Sequence, residues 1–127
     1  MSETPQGIAA ILTTPDAPAA AQLYERVFGF TRRRYFDGND EYLVLERHGA
    51  QVHLAQMGKA SPNHRGGAHV ADLFVWVDDL APLLAAAEQA GLPVRRGPEH
   101  YDSSPVATTE VVFEVPDGYW FCFATAG

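Results

Sequence analysis

Cysteine occurs once in this 127-residue chain, at Cys122, which excludes an internal disulfide framework and a cysteine-rich zinc site. Basic residues are also few. Nine Lys and Arg stand against sixteen Asp and Glu, a formal net charge of −7. Nucleic-acid binding needs a basic face, and this balance argues against it, while a cationic partner is compatible with it. No apolar run is long enough to span a bilayer. The opening residues MSETPQG lack the basic and apolar regions of a secretion signal, so the expected location is cytoplasmic with no membrane partner. A Gly-rich phosphate loop and a G-x-S-x-G elbow are both missing. The remainder is ordinary for a globular protein, with 46% hydrophobic and 20% charged residues and enough chain for one compact unit with a core.

One pattern is written twice. Ile8 to Thr14, IAAILTT, reads as a strand, and TPDAPAAAQLYERVFG after it reads as a helix. Asp16 is the expected N-cap and Pro18 lies in the first turn. Ala20, Leu23, Tyr24, Val27 and Phe28 follow the spacing of one buried face, and Gly29 is the stop. In the second half, Leu73 to Val77 is the strand, Asp78 the expected N-cap, Pro82 an early helical residue and Gly91 the stop. Leu80, Leu83, Leu84 and Ala87 form its buried stripe. The interval from Asp16 to Gly29 equals that from Asp78 to Gly91.

Each half goes on with strands. FTRRRYF leads to a turn at Asp37 to Asp40, then EYLVLER, a turn at His48-Gly49, and AQVHLAQM. In the second half LPVRRG leads to a loop at Pro98 to Pro105, PEHYDSSP, then ATTEVVFEV, a turn at Asp117-Gly118, and YWFCFAT. The expected fold class is α+β: one domain over 1–127, made of βαβββ repeats at 7–57 and 70–126, joined by the polar, Gly-rich linker 58–69.

The last strand alternates. Trp120 and Cys122 point one way, and Tyr119, Phe121 and Phe123 the other. Both sets are apolar, so both sides are expected to be covered.

The doubled pattern resembles the vicinal oxygen chelate superfamily, which holds glyoxalase I, extradiol dioxygenases and bleomycin-resistance proteins. Three motifs carry the resemblance, in order and over nearly the whole chain: PDAPAAAQLYERVFGF (Pro15 to Phe30), FVWVDDL (Phe74 to Leu80) and VPDGYWFCF (Val115 to Phe123). The last is similar to a hairpin usually written Asp-Pro-Asp-Gly, with Val115 in the first place. The resemblance implies curved sheets around a cleft, with helices on the convex faces. Phe121 and Phe123 would then lie under a helix, and Trp120 and Cys122 would look into the cleft.

Enzymes of that superfamily hold a divalent metal on His, Glu or Gln from four strands. The matching places here are Ala9 or Ala10, neither of which can ligate, then His53, Asp72 and Cys122. His53 and Asp72 are plausible ligands, and Cys122 stands where the family has Glu. The expectation is that no metal or other cofactor binds and no catalytic residue is present. In that case His53 is a hydrogen-bonded cleft histidine and Cys122 a small buried apolar residue. The alternative is a metal-dependent lyase or dioxygenase of the glyoxalase or extradiol type, with Zn, Ni, Mn or Fe on a non-standard set containing His53 and Asp72. His64 and His69 in HRGGAH match no standard metal spacing, and His48 and His100 fall at a turn and in a loop. A thiol–imidazole pair of Cys122 with His53 has no precedent in the family.

The metal-free branch of the superfamily sequesters drugs unaltered, in domain-swapped or interlocked dimers. A planar drug needs aromatic walls, and a cationic one needs acids. By parity Phe74 and Trp76 share the face of Asp72, and Trp120 that of Cys122. Tyr42 and Glu46 oppose Leu43 and Leu45, while Glu110 and Glu114 oppose Val111, Phe113 and Val115. The expected cleft is therefore His53, Asp72, Phe74, Trp76, Trp120, Cys122, Tyr42 and Glu110, with Tyr101 and Asp102 closing over it from the loop. The plainer reading of both tryptophans is core or interface filling. Together these readings imply a homodimeric protein, in one form domain-swapped, that binds a small planar ligand such as an antibiotic or other secondary metabolite, with a cationic one suiting the acids.

Overall fold

The computed structural model describes residues 7–34, 40–64, 71–102 and 106–127. The expected turn at 37–39, the linker residues 65–69 with His69, and the end of the PEHYDSSP segment lie outside them. The chain divides into two compact units on either side of the Ala60–Ser61 junction.

The first unit runs β1 (Ala9–Thr14), α1 (Ala17–Phe28), β2 (Thr31–Arg33), β3 (Tyr42–Arg47) and β4 (Ala50–Gln56). Its sheet has the order β1-β4-β3-β2, with β1 parallel to β4 and the other pairs antiparallel. Asp16 caps α1 as expected, its Oδ1 accepting the Ala19 N–H at 3.1 Å. Leu12, Leu43, Leu45, Val52 and Leu54 form one buried sheet face, and α1 packs against β3 and β4. Two bonds fix it there: the Gln56 amide oxygen accepts the Ala17 N–H at 3.0 Å, and Arg47 Nε donates to the Phe28 carbonyl at 3.0 Å. At the hairpin tip His48 and Gly49 both take positive φ, 48° and 86°, the turn that matches strand twist.

The second unit runs β5 (Leu73–Trp76), α2 (Ala81–Ala90), β6 (Val94–Tyr101), β7 (Thr108–Glu114) and β8 (Trp120–Ala126). Its order, β5-β8-β7-β6, repeats the first with one parallel pair, β5 with β8. The sequence therefore folds as two βαβββ units, an α+β architecture of two mixed four-stranded sheets among the described residues. Gly29 and Gly91 end the two helices in the same left-handed conformation, φ 74° and 72°. Val75, Val111, Phe113, Phe121 and Phe123 are buried on one side of the second sheet, and each such side chain contributes about 1.5–3 kcal/mol by leaving water.

Two expectations need correction here. Asp78 does not cap α2. The N-cap is Leu80, without a side-chain bond, and Asp79 accepts the Ala81 N–H instead at 3.0 Å. The carboxylate one residue nearer the helix is in reach of the first free amide. The first half of the expected loop, Pro98–Tyr101, is also strand: it belongs to β6, where Glu99 pairs with Glu110 and Tyr101 with Thr108. Proline signals a break because it has no N–H to give a ladder. Here the register shifts between Arg96 and Glu99, so Pro98 falls where the ladder skips. β6 is also an edge strand, which needs only one of its sides paired.

Candidate functional site

Cross-strand pairing decides which side chains share a face. In the second unit Phe74 pairs with Cys122 and Trp76 with Ala124. Cys122 pairs with Val112, Trp120 with Glu114 and Ala124 with Glu110. Arg96 pairs with Val112 and Tyr101 with Thr108. One face of the sheet thus carries Phe74, Trp76, Trp120, Cys122, Glu110, Glu114, Arg96 and Tyr101, opposite the phenylalanine core.

A hollow of about 420 Å³ opens on this face, lined by Ala71, Phe74, Arg96, Tyr101, Thr108, Glu110 and Cys122. It is of the size that takes a small organic molecule. Phe74 is 48% exposed and Trp76 55%, their rings edge to face at 5.2 Å. On the floor, Glu110 accepts the Thr108 hydroxyl at 2.9 Å on one oxygen and the Cys122 thiol at 3.7 Å on the other. Burial, followed by the Glu110 charge and hydrogen bond, pushes the Cys122 thiol up to about 12. It stays protonated at neutral pH, so it is a poor nucleophile.

Beside the hollow, Glu114 Oε1 accepts from Arg95 Nε at 2.9 Å and from the Trp120 indole at 2.8 Å. These bonds, Arg95 first, hold Glu114 below the ordinary carboxylate range. His64 stacks on Trp120. Tyr101 donates to Glu99 at 2.6 Å, which raises its phenol. Asp72 is occupied by backbone: its oxygens accept the Trp120 N–H at 2.8 Å and the Asn63 N–H. It ties the preceding segment to the start of β8.

His53 and Tyr42 lie together in the first unit. Tyr42 Oη is 2.7 Å from His53 Nδ1, and Gln51 Oε1 is 3.1 Å from Nε2. An amide oxygen only accepts, so Nε2 carries the proton and Nδ1 accepts the tyrosine O–H. Burial lowers the His53 pKa, in keeping with that neutral ring. Across the sheet His53 faces Ile11 and Val44. Ala9 is on its face and Ala10 on the other, which resolves the open register of the first strand. Glu46 pairs with Arg33 at 3.4 Å.

The four places where the family's metal ligands would fall do not fit a metal. Alanine offers no donor, both His53 nitrogens are engaged, both Asp72 oxygens accept backbone amides, and Cys122 is held as a thiol. Among the described residues no three His, Cys, Asp or Glu form a group that could hold an ion.

The structure thus gathers Phe74, Tyr101, Glu110 and Cys122 on one hollow, sets Trp76 and Trp120 along the same face, and puts His53 with Tyr42 in the other unit. Sequence reasoning missed Arg96, Thr108 and Arg95. Thr108 was accessible to parity from Glu110. The two arginines were not, because consecutive residues of a regular strand point to opposite faces. Arg95 follows from alternation once Val94 is paired with the core-facing Phe113, whereas Arg96 reaches this face through the register shifts in β6.

No helix among the described residues is long and apolar enough to cross a membrane. No curated protein matches the chain. Among solved structures it is similar to TioX from Micromonospora sp. ML1, with 19% identity over 94% of this chain and 98% of that one and a TM-score of 0.70. It is also similar to a glyoxalase/bleomycin resistance protein/dioxygenase from Alicyclobacillus acidocaldarius, with 13% identity, 98% and 95% coverage and a TM-score of 0.71. A third is the oxidase ChaP-H2, with 18% identity, 97% and 94% coverage and a TM-score of 0.66. At these identities the likeness is one of fold. The Glyoxalase/Bleomycin resistance protein/Dioxygenase superfamily model matches residues 7–123, nearly the whole of the doubled βαβββ pattern, and the chain belongs to that superfamily.

Proposed function

We propose that this protein binds a small planar molecule reversibly and without covalent chemistry, in the manner of the bleomycin-resistance members of its superfamily. The observation that carries the reading is the hollow of the second unit: aromatic at Phe74 and Tyr101, polar at Arg96, Thr108 and Glu110, with its one thiol held protonated. Such a lining orients a ligand and offers no thiolate to attack it. An antibiotic or other secondary metabolite is the class of ligand that suits it, and sequestration is the biological consequence we assign. A homodimer completes the proposal. Ile8, Ile11 and Trp76 are all exposed, Ile11 at 62%, and a second copy would cover apolar surface of this kind.

The test is a titration of the purified protein with planar antibiotics, followed by tryptophan fluorescence and calorimetry, with metal content measured alongside. Saturable binding that survives chelator, with the ligand recovered intact by mass spectrometry, supports sequestration. Stoichiometric metal with turnover would overturn it in favour of a lyase or dioxygenase. Sedimentation at micromolar concentration checks the dimer.

A further inference from the structure

We infer that the ligand of this hollow carries an anionic oxygen, a carboxylate on a planar ring, and that Arg96 is the residue that selects it. The inference rests on the binding role proposed above and adds the ligand's charge.

Arg96 lines the hollow. Its Nε is buried and has no hydrogen-bond partner, and its guanidinium enters no ion pair among the described residues. A buried donor left unpaired is costly, and in native proteins such a group calls for a reason. The nearby acids do not supply one. Glu110 accepts from Thr108 and Cys122, Glu114 from Arg95 and Trp120, and Glu99 from Tyr101. Asp72, which by sequence would meet a cation, accepts two backbone amides. Each of these acids thus holds hydrogen bonds within the protein, whereas Arg96 Nε holds none.

Backbone geometry sharpens the contrast. From Tyr101 opposite Thr108 and Glu99 opposite Glu110, strict alternation would set Gly97 opposite Val112 and turn Arg96 away. The register shift sets Arg96 opposite Val112 instead. Of two adjacent arginines, Arg95 is neutralised by Glu114 and Arg96 is directed at the hollow. A guanidinium presents a planar fork that matches a carboxylate in two parallel bonds. Phe74, half exposed on the same lining, offers a flat apolar surface to the ring that carries it.

Three probes with one ring system test this: 2-naphthoate, 2-naphthamide and 2-naphthylmethylammonium, titrated by calorimetry. The naphthoate should bind about tenfold more tightly than the amide, or ~1.4 kcal/mol, and the ammonium more weakly than both. Arg96→Gln should bring the naphthoate to the level of the amide measured on the same variant, and Arg96→Lys should recover part of the gap. Circular dichroism would show that both variants fold. Preference for the ammonium, lost in Glu110→Gln, would overturn the inference, as would a naphthoate preference that persists in Arg96→Gln. Equal binding of all three would overturn it while leaving the binding role standing. Binding of none would overturn the binding role and the inference with it.

Discussion

His64 lies flat on Trp120, ring centroids 4.1 Å apart and planes 7° from parallel, while its Nε2 donates to the Gly118 carbonyl at 2.9 Å. The imidazole thus closes the hairpin turn and covers one side of an indole whose N–H is fixed by Glu114. His64→Ala should cost about 1 kcal/mol in urea unfolding, the loss of one stacked pair with one hydrogen bond. Trp120 fluorescence, read in a Trp76→Phe background, should change with it. An unchanged midpoint would mean that the stack contributes nothing to the folded state.

The His53 ring gives stability a pH dependence with a definite sign. Burial lowers its folded pKa from the ordinary 6.5, so near that pH the unfolded chain binds more protons than the folded one. The contribution is full above 6.5, declines as pH falls through it, and is lost below the folded value. Unfolding free energies between pH 8 and pH 5 should fall on the acid side, and His53→Phe should flatten that part of the curve. A steeper curve in the variant would refute the neutral ring.

Cys122 should resist thiol reagents. It is 2% exposed, its pKa is pushed up to about 12, and reagents attack the thiolate. At pH 8 the native protein should release no chromophore from Ellman's reagent within minutes, and one equivalent after denaturation. Rapid labelling of the native protein would contradict the Glu110 hydrogen bond as well as the burial.

Gly97 is required by two independent constraints. Its φ is 83°, a region that side chains rarely enter, and a Cβ there would collide with the Glu110 carbonyl oxygen. Gly97→Ala should cost about 2 kcal/mol or more and should weaken binding of any ligand in the hollow by displacing β6 from β7. Gly58→Ala, at an open position, serves as the control and should be close to neutral.

Much of the fold was legible because it follows from local rules. The equal intervals from Asp16 to Gly29 and from Asp78 to Gly91 announced the repeat, and both glycines take the left-handed cap. Alternation separated Trp120 and Cys122 from Phe121 and Phe123, and β8 pairs as that reading requires. The failures share one cause, which is that they depend on exceptions to alternation or on backbone partners. Pro98 looked like the end of a strand because nothing in PEHYDSSP tells of a skipped register. Arg96 could not be placed on a face without that skip. Asp72 read as a free carboxylate because the amides it accepts, from Asn63 and Trp120, are far apart in sequence from one another.

The irregular segment of β6 has a consequence for how such a sheet can change its specificity. Core residues Val111, Phe113, Phe121 and Phe123 belong to the inner strands β7 and β8, whereas β6 meets only one neighbour. A residue gained or lost near Gly97 would slide the edge strand by one notch and exchange the side chains shown to the ligand, with the inner strands left in register. The edge acts as a vernier on the site: a single indel there resets several contacts at once, where substitution would have to alter them one by one.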